Sequence, residues 1–375
     1  RVLFRSKKYP DINMPTAITQ IAGRQVAAEK IPSWREIEEI WYPKHLSLEQ
    51  CSSEITARYK ARLFQGDSLT DLTGGFGIDC SFLATGFKSA TYVERQEELC
   101  EIAAHNFPIL NLNHINVRNE DGVAYLQTMS PVDCIFLDPA RRNEHGGKTV
   151  AISDCEPNVA ELEALLLSKA NRVMIKLSPM LDLSLALKEL KHTQEIHILS
   201  VNNECKELLI LLRQTSPAEI AIHCVNLLTK GTQEEQHLVF TREQEQRSQC
   251  TYTDSLGNYL YEPNASLLKA GAFRSIAAAY PVRKLHPNSH LYISDSFIEN
   301  FPGRIFRIVN QCSFNKKEVK ENLADLKKAN VTVRNFPATV AELRKRLHLT
   351  EGGDTYLFAS TLNNGQKVII RCEKV

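Results

Sequence analysis

From residue 68 onward, short apolar runs alternate with amphipathic stretches. That alternation predicts strands and helices in turn, the sequence sign of a mostly parallel, doubly wound sheet. Strands are expected over Ser68–Leu72, Ser89–Val93, Ile115–Arg118, Asp133–Leu137, Arg172–Leu177 and Glu195–Val201. Helices are expected over Ile78–Thr85, stopped by Gly86, and over Glu97–Phe107, ended by Pro108. Leu208–Leu212 follows the sixth strand too soon for a crossover helix, so it is expected to pair antiparallel with it. The result is a seven-stranded sheet with its last strand reversed.

On either side of this block the pattern changes. Residues 16–62 read as helices joined by short breaks, with Ser33-Trp34-Arg35-Glu36 and Ser47-Leu48-Glu49-Gln50 matching the capping box. The second box is expected to open a helix running to about Phe64, with Ile55, Tyr59 and Leu63 on one face. Glu54, Thr56 and Lys60 are expected to face water. Residues 226–260 are polar and turn-rich, and a small unit begins near Tyr261. After Pro302-Gly303 the order is strand 304–309, helix 316–330, strand 331–335, helix 339–347, then strands 355–360 and 367–372. The division that follows is an N-terminal helical segment (1–65), a catalytic α/β domain (66–225), a connector with a small ferredoxin-like unit (226–302) and an α+β domain (303–375).

Composition adds two constraints. The 375 residues are 43% hydrophobic and 24% charged, ordinary values for a globular protein. No apolar run approaches the roughly 20 residues that span a bilayer, and no leader opens the chain; Arg1 in place of Met implies that the true start lies upstream. Ten cysteines are scattered with no C-x-x-C pair, which signals neither a zinc site nor a dithiol redox centre and suits a reduced, cytoplasmic chain. The net charge of +1 conceals a segregation: 11 Lys/Arg against 7 Asp/Glu in residues 1–65, 13 against 22 in 66–225, 7 against 8 in 226–300, and 14 against 7 in 301–375. An acidic middle repels phosphates, so affinity for a nucleic acid would come from the basic ends.

The chemistry concentrates where the predicted strands end. Asp71-Leu72-Thr73-Gly74-Gly75-Phe76-Gly77-Ile78-Asp79 is a glycine turn between a strand and a helix, which brings bare backbone and the positive end of a helix dipole to a ligand. It is not a dinucleotide fingerprint, because Cys80 stands where Gly or Ala is wanted, and it lacks the G-K-[ST] of a P-loop. Glu94 closes the second strand 23 residues after Asp71, placed to accept both ribose hydroxyls, with Arg95 beside it. Asp121-Gly122 follows the third strand, where an acceptor could take an adenine amine. Asp138-Pro139-Ala140-Arg141 follows the apolar fourth strand. Acids at successive carboxyl ends describe a site for a nucleoside without phosphates, and each acid has the alternative of capping the next helix.

On these residues, the stretch from Asp71 to Leu212 resembles a class I S-adenosylmethionine-dependent methyltransferase. The resemblance implies a Rossmann-like α/β fold, S-adenosyl-L-methionine held by Asp71, Thr73, Gly74, Gly75, Gly77, Asp79, Glu94, Arg95, Asp121 and Gly122, and a catalytic loop of Asp138, Pro139, Ala140 and Arg141. More narrowly, the whole chain is similar to bacterial methyltransferases with a THUMP-like domain at the C-terminus, through Leu46-Ser47-Leu48-Glu49-Gln50-Cys51-Ser52-Ser53-Glu54, Glu262-Pro263-Asn264, Leu267-Leu268-Lys269-Ala270-Gly271 and the ending from Val331 to Gly353. In amino-group methyltransferases the acid and carbonyl of [DN]-P-P-[YFW] accept the target N–H groups. Here Ala140 and Arg141 depart from that pattern, leaving Arg141 to stack on a base or bind phosphate.

Carbon methylation of pyrimidines usually needs a cysteine nucleophile, and Cys134 is expected inside the core, so a nitrogen or ribose oxygen is the expected acceptor. Lys316, Lys317, Arg334, Arg344, Lys345 and Arg346, with Phe336 nearby, are expected to bind structured RNA, tRNA or rRNA; Lys327-Lys328 extends the same basic set. No metal and no membrane partner is expected. Competing readings are a methyltransferase for a protein or small molecule, a non-catalytic RNA-binding module, and a nicotinamide oxidoreductase.

Overall fold

The computed structural model describes residues 13–141, 151–215, 217–231 and 233–375. These described residues form two compact units, the first drawn from the stretches 13–196 and 207–218, the second from 197–206 and 219–375.

The first unit is built on β1 (Gly66–Asp71), β2 (Phe87–Glu94), β3 (Ile115–Asn119), β4 (Val132–Leu137), the two-residue strands β5 (Ala140–Arg141) and β6 (Cys155–Glu156), β7 (Ala170–Leu177), the start of β8 (Thr193–Val201) and the larger part of β9 (Glu204–Leu212). Seven of these lie in the order β3-β2-β1-β4-β7-β9-β8. The pairs β3–β2, β2–β1, β1–β4 and β4–β7 are parallel, whereas β9 runs antiparallel to β7. The seven predicted strands, the last of them reversed, are therefore present, in consecutive positions of a sheet of nine. Strands covered on both faces have no solvent side to vary, which is why Cys134–Leu137 and Val173–Leu177 read as unbroken buried runs. Cys134 is fully buried, and burial pushes its thiol up to about 11, as the core placement required.

The amino-terminal helices pack on this unit through Trp34, Tyr42 and Leu48, which meet Phe76 and Ile78 just beyond the glycine turn. Trp34 and Phe76 meet edge to face at 5.4 Å. Two expectations fail here. Neither capping box forms: Ser33 N–H donates to Glu54 Oε2 at 2.9 Å instead, and the next helix begins earlier, at His45. The long helix is two, His45–Gln50 and Glu54–Leu63, broken where Ser52 is drawn into a buried polar cluster. Helix Glu97–Ile109 also passes Pro108 by one residue.

The second unit contains the hairpin of β10 (Ala221–Leu227) and β11 (Glu235–Thr241). It also holds a sheet of β12 (Tyr259–Pro263), β13 (Arg283–Lys284), β14 (Tyr292–Ser294), β15 (Gly303–Ser313), β16 (Asn330–Arg334), β17 (Thr355–Thr361) and β18 (Lys367–Lys374), ordered β13-β14-β12-β15-β18-β17-β16. Only the β16–β17 pair in that sheet is parallel. The helix expected to reach residue 330 ends at Leu323. Beyond it, Thr350 N–H donates to the Lys327 carbonyl and Ala329 N–H to the Thr350 carbonyl, so Lys327-Lys328 lies in a pinned connection and not on a helix. Among the described residues no helix is long and apolar enough to cross a membrane.

Candidate active site

β1 delivers Asp71 into the turn that leads to helix Ile78–Ala84. The three glycines have different reasons. A Cβ on Gly74 would lie 2.2 Å from the ring of Tyr92, which is fully buried beneath the turn and donates its hydroxyl to the Gly75 carbonyl. Gly75 and Gly77 take φ of +54° and +86°, a left-handed region that side chains resist. Asp71 is buried; Oδ1 accepts from Thr73 N–H at 3.0 Å and Oδ2 has no partner. Burial pushes its carboxyl well above the usual range, the Thr73 N–H offsets part of this, and Asp79, Asp138 and Glu94 add to it.

Over the carboxyl ends of β1, β2 and β4 lies a cavity of about 380 Å³. Leu72, Val123, Leu126, Leu137 and Leu162 line it with apolar surface; Glu94, Asp121, Asp138, Glu156 and Glu161 bring acids and Arg95 one base. Glu94 holds the turn, accepting from Gly75 N–H at 2.9 Å and from Gln96 N–H at 2.8 Å. Asp121 caps helix Gly122–Thr128: its Oδ1 accepts from the N–H groups of Val123 and Ala124, both at 3.0 Å. Gly122 is needed for close approach, since a Cβ there would fall 2.1 Å from the Leu72 carbonyl oxygen. Thr73 Oγ1 accepts from Asp138 N–H at 2.6 Å, which ties the glycine turn to the end of β4. Pro139 is buried and Ala140 exposed, in β5 against Glu156. The side chain of Arg141 lies outside the described residues.

The structure thus brings Thr73, Glu94, Arg95, Asp121, Gly122, Asp138 and Ala140 to one cavity. Gly74, Gly75, Gly77, Asp71 and Asp79 do not line it. The acids that line the cavity include two that sequence reasoning missed, Glu156 and Glu161.

Asp79 points into a buried cluster instead. Lys60, fully buried, pairs with Asp79 Oδ1 at 3.1 Å and with Glu207. Lys176 Nζ lies 3.2 Å from Asp79 Oδ2 and 2.6 Å from Asp138 Oδ2. Ser52 Oγ donates to Asp79 Oδ2 at 2.7 Å and accepts from both lysines at 3.1 Å. Burial pushes Asp79 up, but Lys60 and Lys176 outweigh it and hold its carboxyl at about 2. Burial lowers Lys176, yet Asp138, Asp79 and Glu207 together raise it well above the usual range. Asp138 moves up, chiefly from burial, with Lys176 opposing and Asp79 and Glu207 assisting. Both partners of the Lys176–Asp138 contact therefore shift upward; the ammonium keeps its proton, and Asp138 is the member that titrates.

Lys60, Thr56 and Glu54 are all buried, contrary to the expectation that they face water. For Lys60 the reason lies far away in the chain, in the Glu207 that it meets. A signal was present in Lys176 and Glu207, charges set in the apolar runs of β7 and β9, because a charge at such a position requires a partner.

In the second unit, Lys316, Lys317, Lys345 and Arg346 are exposed, the last over the Phe314 ring at 4.1 Å. Two of the expected RNA contacts are engaged otherwise. Arg334 pairs with buried Glu262 at 3.0 Å, and Arg344 with Glu351 at 3.1 Å. Phe336 packs into the domain core, edge to face with Phe314, and is no free platform.

Residues 259–302 match a ferredoxin-like domain family and residues 303–374 a THUMP domain-like family. No curated protein matches the chain. Among solved structures, a protein of Porphyromonas gingivalis W83 provisionally named a methyltransferase is 37% identical, with a TM-score of 0.89 over 97% of this chain and 92% of that one. A modification subunit of a provisionally identified type I restriction enzyme from Vibrio vulnificus YJ016 is 12% identical over 54% of this chain and 56% of that one, with a TM-score of 0.37. M. capricolum TrmK in complex with S-adenosyl-homocysteine is 13% identical over 43% and 68%, with a TM-score of 0.34. The last two likenesses are too remote to carry an argument.

Proposed function

The chain belongs to the class I S-adenosylmethionine-dependent methyltransferases that end in a THUMP-like domain, and from that premise we propose that it methylates a nitrogen or a ribose oxygen of structured RNA, tRNA or rRNA, in the cytoplasm. The observation that carries the cofactor half of this reading is the lining of the cavity, five carboxylates against one arginine over an apolar floor. Such a surface repels phosphates and suits a cationic nucleoside. S-adenosylmethionine fits it, and when bound supplies a methyl group already activated on a sulfonium sulfur.

Glu94 is assigned to the ribose: each of its oxygens takes one backbone N–H and keeps a lone pair for a hydroxyl. Asp121 is assigned to the adenine amine, since its helix cap uses Oδ1 and leaves Oδ2 for a ligand. Gly74, Gly75 and Gly77 shape the backbone that approaches the cofactor. Asp138 faces the acceptor and takes its proton as the new bond to carbon forms. No cysteine lines the cavity among the described residues, in keeping with a nitrogen or oxygen acceptor.

Support for RNA comes from the THUMP domain-like match over residues 303–374 and the exposed Lys316, Lys317, Lys345 and Arg346 within it. The test is to incubate the protein with labelled S-adenosylmethionine and total RNA from a strain lacking it, then map the modified nucleotide. Label in one RNA position is the expected result. Label in protein or small-molecule fractions alone would overturn the RNA assignment, and failure to bind S-adenosylhomocysteine would overturn the cofactor assignment.

A further inference from the structure

The cavity accounts for one side of Asp138; its other side meets the buried cluster of Lys176, Asp79, Ser52, Lys60 and Glu207. Lys176 Nζ has three partners, Asp138 Oδ2, Asp79 Oδ2 and Ser52 Oγ, at 2.6, 3.2 and 3.1 Å. An ammonium has three N–H groups, so its orientation is fully determined. Its partners are held in turn: Asp79 by Ser52 and Lys60, and Ser52 by Lys60, which also pairs with Glu207. The groups come from the turn at Ser52, helix Glu54–Leu63, helix Ile78–Ala84 and β9, so four segments besides β7 converge around one nitrogen.

The charges are unequal. Lys60 and Lys176 bring two positive charges; Asp79, Glu207 and Asp138 bring three negative ones. Side chains of the first four are 10% exposed or less, whereas that of Asp138 is 37% exposed. The surplus negative charge therefore sits at the outer end, on the oxygen atoms that face the cavity. A cluster that served only to fill the core gains nothing from an excess charge, since buried ion pairs are often replaceable by apolar residues without loss.

We propose that Lys176, oriented by Ser52, Asp79, Lys60 and Glu207, is a positioning residue that fixes the Asp138 carboxylate at the acceptor and keeps it ionised until it takes the proton. The inference rests on the methyltransferase reading for its purpose but not for its test. In the transfer, the acceptor nitrogen or oxygen forms its bond to the methyl carbon as the C–S bond of the sulfonium breaks and leaves its electron pair on sulfur, while the acceptor N–H or O–H bond breaks and an O–H bond forms on Asp138. The carboxylate becomes neutral, and Lys176 keeps its proton, balanced then by Asp79. The charged groups that face Asp138 are Lys176 from β7, Asp79 from helix Ile78–Ala84, Glu207 from β9 and Asp71 from β1, with Lys60 behind them.

The experiment follows the Asp138 carboxyl by carbon NMR in full-length protein labelled at aspartate Cγ, with Asp138→Asn to assign the signal. In Lys176→Met the Asp138 midpoint is expected to rise by at least about one pH unit, the size of shift that removal of an adjacent opposite charge produces. Lys176→Arg should restore a midpoint near the wild-type value. An unchanged midpoint in folded Lys176→Met overturns the proposal. Should that variant fail to fold, Lys176→Met with Asp79→Asn removes one charge of each sign; because Asp79 itself pushes Asp138 up but by less than Lys176 holds it down, a smaller rise is expected, and an unchanged midpoint there also overturns the proposal. With an RNA substrate, the acidic limb of kcat should move with the NMR midpoint while KM for S-adenosylmethionine stays constant; a uniform fall in kcat at every pH would indicate a structural role only and overturn the positioning role. Absence of transfer by the wild-type protein would count against the RNA reading alone, because the NMR titration needs no substrate.

Discussion

Two groups of charges in this protein obey opposite rules. The cluster of Lys60, Lys176, Asp79 and Glu207 in the first unit is buried and paired atom to atom, so its effect depends on geometry to within a few tenths of an ångström. Lys316, Lys317, Lys345 and Arg346 in the second unit stand in water on two short helices. Their effect depends on number and sign and is screened by salt. A change of one residue should therefore be felt as impaired chemistry or stability in the first group, and as a change in salt dependence in the second.

The sharpest way to break the comparison is at Asp138, where the buried cluster reaches the cavity. Asp138→Ala is expected to lower methyl transfer by roughly 10² to 10⁴, the usual contribution of a positioned base, while calorimetry with S-adenosylhomocysteine finds affinity nearly unchanged. Equal loss of both would show that Asp138 belongs to the cofactor site. One step inward, Lys60→Met leaves Asp79 and Glu207 short of a cation in the core. Urea unfolding should show a loss of about 3–5 kcal/mol, as for other broken buried pairs, whereas Lys316→Gln should stay within about 0.5 kcal/mol, the ordinary surface value. Similar values for the two would erase the distinction.

A smaller effect comes from pH. Asp138 acts as a base in its ionised form and its pKa is raised, chiefly by burial. Transfer should be complete above that raised value and fall as pH drops through it, at a higher pH than an ordinary carboxyl would give. A pH–rate profile with its acidic limb in the ordinary carboxylate range would contradict this. Smallest of all are the surface charges. Replacing Lys316, Lys317 and Lys345 together by Gln should flatten the salt dependence of RNA binding by roughly 0.7–0.9 in slope for each phosphate no longer neutralised. Arg334→Gln should leave the slope alone and lower Tm, because Arg334 is committed to Glu262. If the two variants behaved alike, Arg334 would belong with the exposed group.

Much of the architecture could be read along the chain. Strand ends at Asp71, Glu94 and Leu137 follow from apolar runs that stop at an acid or a turn, and the reversed last strand follows from a connection too short to cross over. The candidate site was legible only in part. Glu94, Asp121 and Asp138 reach the cavity, but Asp79 turns away to Lys60 and Lys176, and Asp71 lies beneath the turn. Helix Glu54–Leu63 carries polar residues on more than one face, so its periodicity could not say which of them would be covered. The basic residues near the C-terminus raised the same difficulty: Arg334 and Lys345 look alike in sequence, and one is paired with a buried glutamate while the other is exposed.

By itself the sequence determined what depends on neighbouring residues. It set where strands stop, which turn needs Gly75 and Gly77 for their positive φ, and that Asp121 could cap the helix after it, because backbone sterics and capping act over a few positions. Only the tertiary structure decided the partners of charges. Lys60 meets Glu207 across 147 positions and Lys176 meets Ser52 across 124. A buried charge is tolerated only opposite another, and packing selects which one.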